Sequence, residues 1–364
     1  MRGNFFLILL ILAGLSAEAQ HVRKPFIIES KIHAGLNLPF YKALDYLIEE
    51  DLYAFDISFS FPASGKDQWE KLYHYPRPGF GYSFWTLGNR DILGNAHAIY
   101  GFISIPVIRK SQKISFNVQP SAGAAIIPLK FDVYENHLNR AIGSSSNLYI
   151  RLGFDARVKL TSRTEFIMEA GTTHFSNGKT RSPNYGINTA SISLGMNYLF
   201  NHNNFQKSDP EIPPISKKLM HSVIFSAGPK VYDNLLNNRY VSSTLSYNLE
   251  RYVNHTGKAG LGADIFYDGS IAEGLAEKEG LPIGNDPVKL MRFGIHGSYA
   301  LRYKRFQGGV QAGYYLYSKF TVLTNIYNKI SLQYLFTDNI CASVSVRSHW
   351  GKADAIEYGL GYAW

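Results

Sequence analysis

From about residue 26 to its end, the chain alternates apolar and polar residues in segments of about ten, separated by Gly, Asn, Pro and charged turns. The clearest run is 147–160. There Leu148, Ile150, Leu152, Phe154, Ala156, Val158 and Leu160 share one face, while Tyr149, Arg151, Gly153, Asp155, Arg157 and Lys159 share the other. This period of two predicts strands near 26–37, 52–62, 78–87, 95–108, 113–126, 147–160, 164–176 and 184–200. A second set is predicted near 220–232, 240–253, 258–268, 288–303, 305–318, 325–336, 340–350 and 355–364. The polar stretch 201–218, carrying Asp209-Pro210-Glu211-Ile212-Pro213-Pro214, reads as a linker between the sets. The expected class is all-β: an antiparallel closed sheet of about 12–16 strands, even in number if it spans a membrane.

Alternation alone does not say whether the apolar face meets a core or lipid, but the chain ends do. The last segment, Ala355 to Trp364, places Tyr358, Leu360, Tyr362 and Trp364 on one face and stops at an aromatic, the form of a terminal strand that outer-membrane assembly machinery reads. At the other end, Met1-Arg2-Gly3-Asn4 precedes the apolar run Phe5–Leu15, and Ala17-Glu18-Ala19 has the small-x-small form of a cleavage site. Residues 1–19 are therefore expected to be a signal peptide, with an uncleaved anchor as the alternative. Together these features favour a transmembrane β-barrel of the outer-membrane type over a soluble periplasmic β protein. Residues 20–200 supply the first eight strands, and 219–364 close the same barrel or form a second β unit. One wide barrel is the expectation.

Composition narrows the chemistry. With 37 Lys and Arg against 28 Asp and Glu, the formal charge is +9. Such charge suits lipopolysaccharide phosphates as well as loops and lumen. No basic stripe interleaved with exposed aromatics suggests nucleic acid, the eleven histidines show no metal-ligand spacing, and no phosphate-binding glycine motif occurs. Neither a metal nor another cofactor is expected. The single cysteine, Cys341, excludes an intrachain disulfide.

The segment 165–200 carries the candidate chemistry. Phe166, Met168, Ala170, Thr172, His174 and Ser176 have one parity, and on the next strand Asn188, Ala190, Ile192, Leu194, Met196, Tyr198 and Phe200 share a face. Since a barrel's apolar side faces lipid, His174, Ser176 and Asn188 are placed on the outer wall near the strand ends. Residues two apart on a strand stand about 6.6 Å apart with parallel side chains, a gap an imidazole spans to a hydroxyl. A histidine beside a serine, oriented by a third polar group, is the minimum apparatus for a serine nucleophile.

The run His174-Phe175-Ser176-Asn177-Gly178, followed by Pro183-Asn184-Tyr185-Gly186-Ile187-Asn188, resembles the active-site hairpin of the outer-membrane lipid A 3-O-deacylases, the PagL-like group also described as acyloxyacyl hydrolases. The resemblance implies an eight-stranded barrel bearing a His-Ser-Glu triad on its outer wall, hydrolysing an ester-linked acyl chain of lipid A without a metal. The family's catalytic His and Ser fall on His174 and Ser176, and the Asn linked to its oxyanion site on Asn177, with Gly178 and Asn184 in support. The family's glutamate falls on Asn188, a departure: an amide can hold an imidazole tautomer but cannot stabilise an imidazolium by charge. The match spans about thirty residues, with looser similarity through the first strands.

These readings imply an outer-membrane serine esterase acting on lipopolysaccharide, with lipid A as substrate and the barrel assembly machinery as partner. The competing reading is a non-enzymatic barrel, a channel or a structural protein that keeps a vestigial hairpin.

Overall fold

The computed structural model describes residues 24–39, 42–109, 113–201, 208–232, 238–279, 287–319, 324–349 and 352–364. The expected signal peptide, 1–19, lies outside the described residues. Sixteen strands follow one another: β1 (Phe26–Asn37), β2 (Leu52–Ser60), β3 (Arg77–Thr86), β4 (Asn95–Arg109), β5 (Ile114–Ile126), β6 (Ser146–Lys159), β7 (Thr164–Ser176) and β8 (Ile187–Phe200), then β9 (Met220–Val231), β10 (Arg239–Tyr252), β11 (Gly257–Asp268), β12 (Met291–Tyr303), β13 (Phe306–Ser318), β14 (Ile326–Leu335), β15 (Ile340–His349) and β16 (Lys352–Ala363). The two described α-helices, Gln68–Leu72 and Ile271–Glu279, were not expected; they sit in connections between strands.

The expectation of one wide barrel is overturned. β1 to β8 form one closed barrel and β9 to β16 a second. The first seals itself where β8 pairs back on β1, from Phe26↔Phe200 to Asn37↔Thr189. The second seals where β16 meets β9, from Tyr358↔Ala227 to Ala363↔Ser222. The linker between them has no regular secondary structure over 208–219, and its residues 202–207 lie outside the described set. An even strand count returns the ends of each barrel to one rim, termed lower here; the β7–β8 loop lies on the upper rim.

The distribution of residues is that of a lipid-embedded wall. On β6, Phe154 is 60% exposed and Ile150 and Leu152 are exposed as well, whereas Tyr149, Arg151, Asp155 and Arg157 are buried. Buried charges survive only when paired. In the first lumen Lys31 Nζ lies 2.8 Å from Glu169, and Arg157 lies 3.0 Å from Glu29 and 2.8 Å from Asp155. Above them an apolar plug of Trp85, Ile127, Ile142, Tyr149, Phe175 and Ile187 fills the barrel. The second lumen repeats the scheme. Lys230 bridges Asp268 and Asp354 at 2.6 Å each, Arg347 lies 3.0 Å from Asp354, and His296 lies 2.7 Å from Asp264. Eight strands make a lumen narrow enough for side chains to span, and these paired charges span both.

The barrels meet at both rims. At the lower rim, Trp69 packs edge-on to Tyr303 with ring centroids 4.5 Å apart, and the Tyr73 hydroxyl donates to the carbonyl of Arg302 at 2.9 Å. At the upper rim, the N–H of Val231 donates to the carbonyl of Lys179 at 3.4 Å.

Candidate active site

Antiparallel register decides which side chains can meet. β7 and β8 pair so that His174 stands directly opposite Asn188, with Thr172 opposite Ala190 one step below and Ala170 opposite Ile192 below that. Directly opposed side chains on one face lie close enough to bond. His174 Nδ1–H donates to Asn188 Oδ1 at 2.6 Å. With the proton held at Nδ1, the Nε2 lone pair is left available as an acceptor.

Gly186 makes room for this pair. Its φ is +76°, and a Cβ there would lie 2.8 Å from His174 Cε1, so any side chain would displace the ring. The loop beside it is anchored to its neighbour between β5 and β6: the N–H of Gly186 donates to the carbonyl of Ala141 at 2.9 Å.

Ser176 is the last residue of β7 and shares the outward parity of His174. Despite that parity it is only 5% exposed. Its Oγ accepts from the N–H of Gly178 at 3.4 Å. Among the described residues, His174 and Ser176 form no hydrogen bond with each other. Catalytic hydrogen bonds are commonly open before substrate arrives.

The loop that follows is knotted by amides. The N–H of Asn177 donates to Asn184 Oδ1 at 3.0 Å, and Asn177 Nδ2 donates to the carbonyl of Arg181 at 2.9 Å. Both donor nitrogens of Asn177 are thus engaged inside the loop, and the N–H turned to the serine belongs to Gly178. Asn184 acts as the clasp that fixes Asn177. The six residues singled out from the sequence therefore fall into two bonded sets, His174 with Asn188, and Ser176 with Gly178 beside the Asn177–Asn184 clasp.

Below the His174–Asn188 pair, the outer wall is shallow and apolar. A groove runs down it, floored by Ala170, Thr172 and Ala190 and flanked by Leu152, Phe154 and Ile192. The sequence marked these positions as outward, but not that small residues on neighbouring strands align into a channel; cross-strand register does that.

Residues 53–197 match the family described as lipid A 3-O-deacylase (PagL). Residues 219–364 match the acyloxyacyl hydrolase C-terminal domain, PagL_C. The chain belongs to the lipid A 3-O-deacylase family. Each barrel of this deacylase-family chain has its own match, and the linker lies outside both. The family makes it an outer-membrane hydrolase that modifies lipid A. Among solved structures, the outer membrane enzyme PagL aligns with a TM-score of 0.32 and 15% identity, over 46% of this chain and 97% of that one. Neisserial surface protein A aligns with a TM-score of 0.32 and 10% identity, over 48% of this chain and 99% of that one. Among the curated proteins compared, none matches.

Proposed function

We propose that this deacylase-family chain is a serine esterase that removes an ester-linked acyl chain from lipid A. Ser176 Oγ attacks the acyl carbonyl while His174 Nε2 takes the hydroxyl proton. The tetrahedral intermediate collapses by breaking the bond to the sugar oxygen, which leaves with the proton returned by His174. Water, deprotonated by the same imidazole, then releases the fatty acid and restores Ser176.

The observation that carries this reading is the 2.6 Å bond from His174 Nδ1 to Asn188 Oδ1 on the outer wall of the barrel. It fixes the tautomer in which Nε2 is a base, and it does so at the rim, on the face that meets lipid. The N–H of Gly178, 3.4 Å from Ser176 Oγ, is the donor best placed for the oxyanion. The apolar groove under His174 has the shape and lining to hold a hydrocarbon tail parallel to the wall.

The test is mass spectrometry of lipid A from cells producing the wild-type chain or Ser176→Ala. Loss of one acyl chain with the wild type only is the expected result. Deacylation that persists in Ser176→Ala overturns the serine mechanism, and an unmodified spectrum with the wild type favours the vestigial barrel.

A further inference from the structure

Outward positions on a barrel wall are normally exposed, and in the second barrel two large aliphatic residues depart from this. On β16, Tyr358 and Leu360 are 63% and 66% exposed, yet Ile356, with the same outward parity, is 5% exposed. On β9, Phe225 is 57% exposed, yet Val231 is 1% exposed. Ile356 and Val231 lie at the upper ends of adjacent strands, and both meet the loop that follows Ser176, Ile356 through its side chain and Val231 through its backbone. Ile356 lies against Gly178 so closely that a Cβ on that glycine would collide with its side chain. The N–H of Val231 donates to the carbonyl of Lys179.

Both loop residues they touch have left-handed backbone. Gly178 has φ +61° and Lys179 φ +67°, the left-handed region, which a lysine enters only when its surroundings hold it there. That conformation turns the N–H of Gly178 towards Ser176 Oγ.

We infer that the second barrel is a working part of the active site: Ile356 and Val231 are positioning residues that seat the 177–180 loop and aim the N–H of Gly178 at the reacting serine. This rests on the serine-esterase reading above and extends it across the interface between the barrels. Neither residue touches the scissile ester; each acts through Gly178 or Lys179. A displacement of about 1 Å in a positioned donor can cost up to about 100-fold in rate.

The experiment uses the full chain, purified in detergent micelles with lipid A, comparing wild type, Ile356→Ala, Ile356→Val, Leu360→Ala and Ser176→Ala. Folding of each is checked by heat-modifiable migration. Ile356→Ala is expected to lower kcat by about tenfold with KM nearly unchanged, because the groove that holds the acyl chain is untouched. Ile356→Val, which keeps the β-branch but loses the Cδ1 nearest Gly178, should fall clearly between Ile356→Ala and wild type, and Leu360→Ala, on the same strand but exposed, should match wild type. Wild-type kcat in Ile356→Ala, or a loss explained wholly by less folded protein, overturns the inference. Should Ile356→Ala prove unable to fold, the comparison of Ile356→Val with Leu360→Ala decides, and equal rates for these two at wild-type level overturn it. Full activity in Ser176→Ala is a separate outcome that removes the esterase reading itself.

Discussion

His174 and Asn188 face each other across the β7–β8 ladder, and the imidazole donates from Nδ1 to the amide oxygen at 2.6 Å. The acceptor is a neutral amide. It orients the ring without the charge that favours an imidazolium, so in the serine-esterase reading the base has less electrostatic support than a carboxylate would give.

Replacing Asn188 by Ala should lower deacylation by roughly 100-fold, the low end of what a positioned acid–base group contributes. Asn188→Glu should retain or raise the rate, since it keeps an acceptor at the same register position and adds a negative charge. Both are read as initial rates of fatty-acid release. An unchanged rate in both removes Asn188 from the mechanism.

Arginine at Phe154 should destabilise the first barrel by about 2–4 kcal/mol, because the position faces lipid near the middle of β6. Arginine at the inward Gly153 should fare no better, because a Cβ there would lie 2.8 Å from Glu169 Cδ and the lumen has no space beside it. A neutral, small change such as Ser193→Ala should be tolerated. Heat-modifiable migration across a urea series reports all three.

Glu169→Ala leaves Lys31 and Arg151 in the first lumen without the carboxylate that both contact. Removing one partner from a buried ion network typically costs about 3–5 kcal/mol. The unfolding midpoint should fall accordingly, and Glu169→Gln, which keeps hydrogen-bonding capacity, should fall less.

Trp364 closes the seam of the second barrel. Its ring stacks on His221 with centroids 5.6 Å apart, and the two backbones exchange hydrogen bonds of 3.0 and 3.1 Å. Deleting Trp364 should reduce folded protein in the outer membrane while synthesis continues, measured by comparing total and heat-modifiable protein in membrane fractions. Normal insertion would show that the seam is sealed without it.

Sixteen strands were legible because period-two alternation is local, and each predicted segment falls on an observed strand. Closure was not legible. Whether β8 pairs with β1 or continues to β9 depends on contacts more than 150 residues apart, such as Phe26 with Phe200, and the polar linker reads the same in either case. The outward placement of His174, Ser176 and Asn188 followed from parity, whereas the engagement of Asn177 by Asn184 and Arg181 depends on how the loop folds back. Ile356 and Val231 were invisible for a different reason. An outward aliphatic residue on a barrel strand looks the same whether lipid or a second barrel covers it.

The segment between Phe200 and Met220 ties the lower ends of the two barrels together within one chain. Partners joined by a short tether encounter each other at an effective concentration of about the millimolar range. The small patch formed by Ile356 and Val231 therefore need not hold two free molecules together in the plane of the membrane. It has only to choose the orientation of a neighbour that is already present, which lets a few atoms at the upper rim set the posture of the 177–180 loop.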